Sequence, residues 1–242
     1  MNTFRGPFRV MFEDLRLQFY ILTCITVVLS TFYILIGIFV PSEGTFNAGA
    51  SFGPYYGLFL FYPFLIYTKG FKYIISLGGT RKQFLFSTFA SVGILLISGT
   101  LVLNGLYTLN DYLVHRGISS ATLFHMGDLI NGSGPLLYYW VDLLWGVFLF
   151  GIGFLINSLW QYFGAFRLLI GSTVLVLLVI TFGTFSGFSG IIEFVILEHF
   201  TFVHILAGVG VAAVVLSYFI MKNGPLERGA IAGFTTRKST EN

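Results

Sequence analysis

The run "LLIGSTVLVLLVITFGTF", residues 168–185, holds no charged side chain and no proline. About 20 apolar residues in a row cross the hydrocarbon core of a bilayer as a helix, and runs of this kind recur along the chain. Six spans are predicted, near 17–40, 52–68, 84–106, 136–159, 168–185 and 200–221. In lipid every backbone N–H and C=O must find its partner inside the protein, so a spanning segment is a helix or a strand of a closed barrel. Barrel strands alternate apolar and polar residues over about ten positions. These runs are continuous and longer. The expected fold is therefore an all-α membrane protein: one six-helix domain over residues 1–222 and a polar tail over 223–242.

Charge content supports that reading. Charged residues are 10% of the chain, against roughly 25% in soluble domains, too few to cover a water-facing surface. Cys24, the only cysteine, lies inside an apolar run and reads as a buried small hydrophobe. The first run lacks a small-residue cleavage site after it and is expected to remain as a span.

Lysine and arginine in short loops mark the cytoplasmic side. With the amino terminus inside, Arg5, Arg9, Arg16, Lys69, Lys72, Arg81, Lys82, Arg167, Lys222, Arg228, Arg237 and Lys238 all face inward, and only Arg116 faces outward. Glu43, Asp111, Asp128, Glu193 and Glu198 fall mostly on the other side. Both termini are thus expected in the cytoplasm.

Ahead of the first span, "FRGPFRVMFEDLRLQFY" places Phe8, Met11, Phe12 and Leu15 on one helical face, with Arg9, Glu13 and Arg16 opposite. This predicts an amphipathic helix lying in the inner interface, its aromatics in membrane lipid. On the outer side, 107–135 is the longest predicted loop; His115, His125, Asp111 and Asp128 in it lack tight metal-ligand spacing and read as solvated. "SGFSGIIEFVILEHF", between the fifth and sixth spans, fits either a short helix dipping into the outer leaflet or an apolar loop.

The segment "FKYIISLGGTRKQF", residues 71–84, departs from its apolar surroundings. Residues 71–77 form a short amphipathic helix with Phe71, Ile74 and Ile75 facing inward. Gly78 and Gly79 permit a sharp turn, and Thr80 can cap the following helix. Arg81 and Lys82 then sit in the first turn of the next span, where a cation opposes the helix dipole. Helix stability does not account for them, whereas lipid phosphates or a protein partner would. The alternative is a plain hairpin whose charges only set topology.

"SLGGTRKQF" after the second span, with an amphipathic leading helix and six spans, resembles the membrane subunits of ABC-2-type exporters of bacteria. The resemblance implies a permease of the bacterial plasma membrane. It also implies that Phe71, Lys72, Ile75, Leu77, Gly78, Gly79, Thr80, Arg81 and Lys82 form a coupling helix docked on a separate ATP-binding cassette subunit. A second permease subunit, identical or related, would complete the transporter. The chain has no G-x-x-x-x-G-K-[ST] loop, so it is read as non-enzymatic, with ATP and Mg held by the partner ATPase and no cofactor of its own. Nucleic acid is not an expected partner.

Two G-x-x-x-G pairs, Gly53 with Gly57 and Gly183 with Gly187, are candidate path or helix-interface positions. Inside the spans the polar exceptions are Asn104, Asp142, Asn157 and His204. Asp142 and His204 fall near outer ends and are expected to reach water. A path rich in phenylalanine and poor in fixed charge suits an amphiphilic cargo: a peptide, a lipid or a drug. The competing reading is a non-transporting membrane protein, such as an immunity or sensor subunit. An intramembrane protease is disfavoured, because Ser133 in "NGSGP" has no histidine at a supported spacing.

Overall fold

A computed structural model describes residues 5–39, 46–48, 52–66, 70–130 and 134–222. The expected tail at 223–242, and with it Arg228, Arg237 and Lys238, lies outside the described residues, as do Glu43, Lys69 and Ser133. Helices dominate: α1 (Arg5–Phe39), α2 (Gly53–Leu65), α3 (Phe71–Ser76), α4 (Arg81–His115), α5 (Pro135–Phe163), α6 (Ala165–Ser186), α7 (Ser189–Leu197) and α8 (His199–Lys222). Two three-residue strands, β1 (Phe46–Ala48) and β2 (Ala121–Leu123), pair in parallel, with Asn47 opposite Thr122.

Among the described residues five helices, α1, α4, α5, α6 and α8, are long and apolar enough to cross a bilayer. The second expected span, 52–68, is described only as far as Ile66, and residues 67–69 lie outside the described residues. Helix α2 has 13 residues, about 20 Å at 1.5 Å per residue, against a hydrocarbon core of about 30 Å. Pro63 lies inside it and cannot donate to the carbonyl one turn earlier.

The separate interfacial helix is not observed. Residues 5–39 form one helix, because nothing between Phe12 and Leu17 interrupts helical propensity. Met11 and Leu15 are buried in the main core beside Phe71 and Phe84 rather than in lipid. Phe8 and Phe12 are half-buried and stacked on each other, and Arg9 pairs with Glu13 at 3.0 Å as the i, i+4 spacing predicts. Cys24 is exposed on α1, not buried.

The long outer loop is also mostly structured. Helix α4 runs nine residues past the predicted end of its span, to His115. The chain then turns at Gly117, whose φ is +68°, passes through β2 and makes a 3₁₀ turn over Met126–Leu129. On this stretch Ser120 donates from both its backbone N and its Oγ to Gly37 O at 3.0 Å, and Ser119 Oγ reaches Ile34 O at 3.4 Å. The Ser120 bonds satisfy the Gly37 carbonyl, one of those that the last turn of α1 leaves open.

Helices α5 and α8 run side by side. An added Cβ on Gly151 would strike the backbone of Gly210, so the two glycines allow the backbones into contact, the packing favoured where lipid supplies no hydrophobic drive. Gly164, at φ +83°, is the single residue between α5 and α6. Beyond that turn α6 is almost wholly exposed, with Leu169, Leu175, Leu178 and Phe182 each more than half accessible.

Candidate functional site

Two groups of residues stand out, at opposite ends of the bundle. The first is the segment after α2. Helix α3 buries Phe71 and Ile74 and leaves Lys72, Tyr73 and Leu77 exposed. Phe71 meets Phe84 of α4 edge to face at 5.0 Å. Gly78 then takes φ +82°, a conformation that costs other L-residues strain. Gly79 N donates to Ile74 O at 2.9 Å, closing the turn. Thr80 caps α4: Gln83 N donates to Thr80 Oγ1 at 3.3 Å, and Thr80 N donates to Gln83 Oε1 at 2.9 Å. This reciprocal pair satisfies two donors at once.

Arg81 has a structural partner that the sequence did not reveal. Its Nη1 lies 3.4 Å from Lys222 O, the final carbonyl of α8. A cation there complements the negative end of the α8 dipole, which explains part of what looked misplaced at the start of α4. Lys82 is exposed. Gly6, Pro7 and Val10 of α1 face Ile74, Leu77 and Gln83 across a cavity of about 290 Å³.

The second group surrounds Asp142 on α5. Its side chain is 1% exposed, so the expectation that it reaches water is overturned. Tyr56 OH donates to Oδ1 at 2.7 Å, and Asn104 Nδ2 donates to Oδ2 at 3.0 Å. His125 Nε2 lies 2.9 Å from Oδ2. The tautomer follows from the other ring nitrogen: Nδ1 accepts from Gly127 N at 2.7 Å, so Nε2 carries the hydrogen and donates to Asp142. His125 is therefore a neutral donor with both nitrogens engaged. It has no lone pair free for a metal or for general-base work.

Of the two residues expected to be solvated here, Asp128 is exposed, though hydrogen-bonded, whereas His125 is built into the interior. His125 is buried, stacked on Tyr138 at 4.3 Å and edge-on to Tyr107 at 4.5 Å. Asp128 Oδ2 accepts from His125 N at 2.9 Å, and Asp128 Oδ1 accepts from Tyr138 OH at 2.7 Å. His115 and Asp111 do remain exposed, 3.4 Å apart. Among the described residues no group of three His, Cys, Asp or Glu side chains is placed to hold a metal ion.

The remaining polar exceptions inside the spans are also hydrogen-bonded. Asn157 Nδ2 donates to Pro63 O at 2.6 Å, near the carbonyl end of the short α2. Trp140 Nε1 donates to His204 Nε2 at 3.1 Å, and His204 Nδ1 contacts Phe200 O at 2.8 Å. His204 itself is exposed. A polar atom left without a partner in hydrocarbon costs several kcal/mol; these pairings remove that penalty for the nitrogens, while Asn104 Oδ1 and Asn157 Oδ1 stay buried without a partner.

The candidate glycine pairs do not mediate helix contact within the chain. A Cβ on Gly53 or Gly57 would meet nothing within 4 Å, while one on Gly183 would strike the ring of Phe188. Gly187 takes φ +75° and ends α6. Close approach falls instead to Gly146, Gly151, Gly153 and Gly210, whose spacing in sequence carries no G-x-x-x-G signal.

Neither a protein-family model, a curated protein nor a solved structure matches this chain.

Proposed function

We propose that the chain is the membrane subunit of an ABC-2-type exporter, coupled through its α3 helix to a separate ATP-binding cassette ATPase. The observation that carries this reading is the shape of the 71–84 segment. A two-turn helix is seated on the end of the bundle by Phe71 and Ile74 and joined by a fixed turn to a capped α4. It presents Lys72, Tyr73, Leu77 and Lys82 to solvent. Such a piece has apolar roots in the core and an apolar-basic face outside, so a soluble partner gripping it would move α4 with it.

Six crossings are supported by parity. Met11 near the start of α1 lies against Gly70, and Arg81 reaches Lys222 at the end of α8. Both ends of the described chain therefore sit at one end of the bundle, which requires an even number of passes. Five described helices are long enough alone, and we assign the sixth crossing to the segment that contains α2, between α1 and the α3 turn. The basic end then faces the cytoplasm. ATP-driven closure of two cassettes would tilt the helices rooted at α3 in each of two permease subunits and reshape the path between them, a rigid-body switch. The apolar, aromatic outward faces suit an amphiphilic cargo.

The test is co-expression with an ATP-binding cassette protein encoded beside this chain. Stoichiometric co-purification is expected, and Leu77→Glu with Lys82→Glu should reduce it strongly. Both side chains are exposed, so the fold should persist. No complex with wild type, or equal capture of the variant, would overturn the reading.

A further inference from the structure

Helices α1 and α4 leave a groove of about 300 Å³ between them. Leu15, Ser91 and Leu95 are buried and form its floor, while Phe12, Phe19 and Ile94 stand at its edges. From Ser91 to Ser98 it follows α4 for about 10 Å, at 1.5 Å per residue. The surface around it is apolar and open: Leu17, Tyr20, Ile21 and Ile97 are each at least half accessible. In a chain that spans a bilayer, such a surface meets lipid tails. Both helices begin at the α3 end, α1 with Met11 against Gly70 and α4 with its cap at Thr80. The groove therefore runs from that end toward the middle of the bundle.

One cation faces this groove. Arg16 lines it and is exposed. Among the described residues no carboxylate pairs with it. The acids on its own helix are engaged elsewhere: Glu13 takes Arg9 at 3.0 Å, and Asp14 accepts from Gln18 at 3.5 Å. Neither lines the groove. A guanidinium beside hydrocarbon needs an anion or water. Helical side chains lean toward the helix N-terminus, which carries the Arg16 head toward the α3 end, where the headgroups of the nearer leaflet lie. We propose that the α1–α4 groove seats one anionic phospholipid, with its phosphodiester on Arg16 and an acyl chain laid between Phe19 and Ile94. Basic pockets between membrane helices select anionic headgroups in this way. A zwitterionic lipid fits the same groove but brings its own cation toward Arg16, so net headgroup charge is what the site discriminates. The site requires only that α1 and α4 cross a bilayer, and it stands whether or not the chain is an exporter subunit.

The experiment uses the full chain in phosphatidylcholine nanodiscs doped with phosphatidylglycerol that carries a diazirine in one acyl chain. Irradiation followed by peptide mapping should place adducts on residues 12–20 and 91–98, about fivefold more than from the matching phosphatidylcholine probe. Arg16→Gln should remove that excess, and Arg16→Lys should keep most of it. Arg5→Gln, at an exposed cation of the same helix outside the groove, should leave it unchanged. Both positions are exposed, so these variants should fold as the wild type does. Unlabelled phosphatidylglycerol should compete, whereas glycerol phosphate, which has the phosphate but no chains, should not. Equal labelling by the two probes, adducts spread alike over the outer faces of α1 and α6, an excess that persists in Arg16→Gln, or one lost equally in Arg5→Gln overturns the proposal. Competition by glycerol phosphate as strong as by the lipid overturns it too, because the groove would then hold no chain.

Discussion

At the scale of single residues, the Asp142 cluster is where burial and charge meet most sharply. A carboxylate taken out of water needs donors on its oxygens, and here three arrive from three different segments: Tyr56 on α2, Asn104 on α4 and His125 before the 3₁₀ turn. Their order of sequence separation is 86, 38 and 17 residues. No local pattern in the sequence could announce the group: Asn104 and Asp142 stand out only as separate polar exceptions inside spans, and His125 only as a loop histidine. Asp142→Ala would strand all three donors in a dry site. Each stranded donor costs about 1–3 kcal/mol, and breaking a buried ionic group typically costs about 3–5 kcal/mol in all. We expect a loss of about 3 kcal/mol or more, read from the midpoint of SDS unfolding out of dodecylmaltoside micelles. Asp111→Ala, at an exposed carboxylate, should shift that midpoint little. Equal midpoints for the two variants would show that the buried bonds contribute nothing measurable.

At the scale of elements, apolar length located α4, α5, α6 and α8 to within a few residues, except at the far end of α4. Hydropathy reports where lipid can lie, while a helix stops where its backbone finds other partners. Residues 107–115 are polar enough to leave the bilayer but keep helical propensity, so α4 continues to His115. The same logic joins the leading amphipathic segment to α1. Helix α2 is described over Gly53–Leu65, with Pro63 inside it and Asn157 of α5 donating to Pro63 O across the helix pair. The cap at Thr80 was legible because its partner Gln83 is three residues away. Glycine contacts were not legible, since spacing alone does not say which face meets a neighbour. This gives a paired prediction. Gly151→Ala forces a methyl into the backbone of α8, and overpacking of this kind costs about 1–3 kcal/mol. Gly57→Ala adds its methyl to open space inside a helix and should be neutral or stabilising by up to about 1 kcal/mol. The two variants, compared by the same SDS unfolding, should move in opposite directions or at least differ by that amount. A destabilised Gly57→Ala with an unaffected Gly151→Ala would mean that the α5–α8 contact is misplaced.

At the scale of the whole molecule, the apolar outer faces of α1 and α6 define its medium. Helix α6 exposes Leu169, Val174, Leu175, Leu177, Leu178 and Phe182 around its circumference, and a helix apolar on every side does not stand unpacked in water. Bilayer lipid or a second membrane subunit must cover it. The two ends of the bundle then differ in charge. Arg5, Arg9, Arg16, Lys72, Arg81, Lys82, Arg167 and Lys222 belong to elements at the α3 end, whereas Arg116 stands beyond the other end of α4. By the bias of basic residues toward the cytoplasm, the α3 end is expected to face inward and the Asp142 end outward. Parity of crossings and charge bias are independent arguments, and one labelling experiment examines both. Cys24 is the only native cysteine, so Cys24→Ser provides a cysteine-free background. In intact cells a membrane-impermeant maleimide should label Arg116→Cys and leave Lys82→Cys untouched until the membrane is permeabilised. Ser76→Cys, exposed on α3, should behave as Lys82→Cys does. Labelling of positions 76 and 82 from outside would invert the orientation and remove α3 from reach of any cytoplasmic ATPase. Labelling of 116 and 82 from the same side would break the parity argument, because α4 would then not cross the membrane at all.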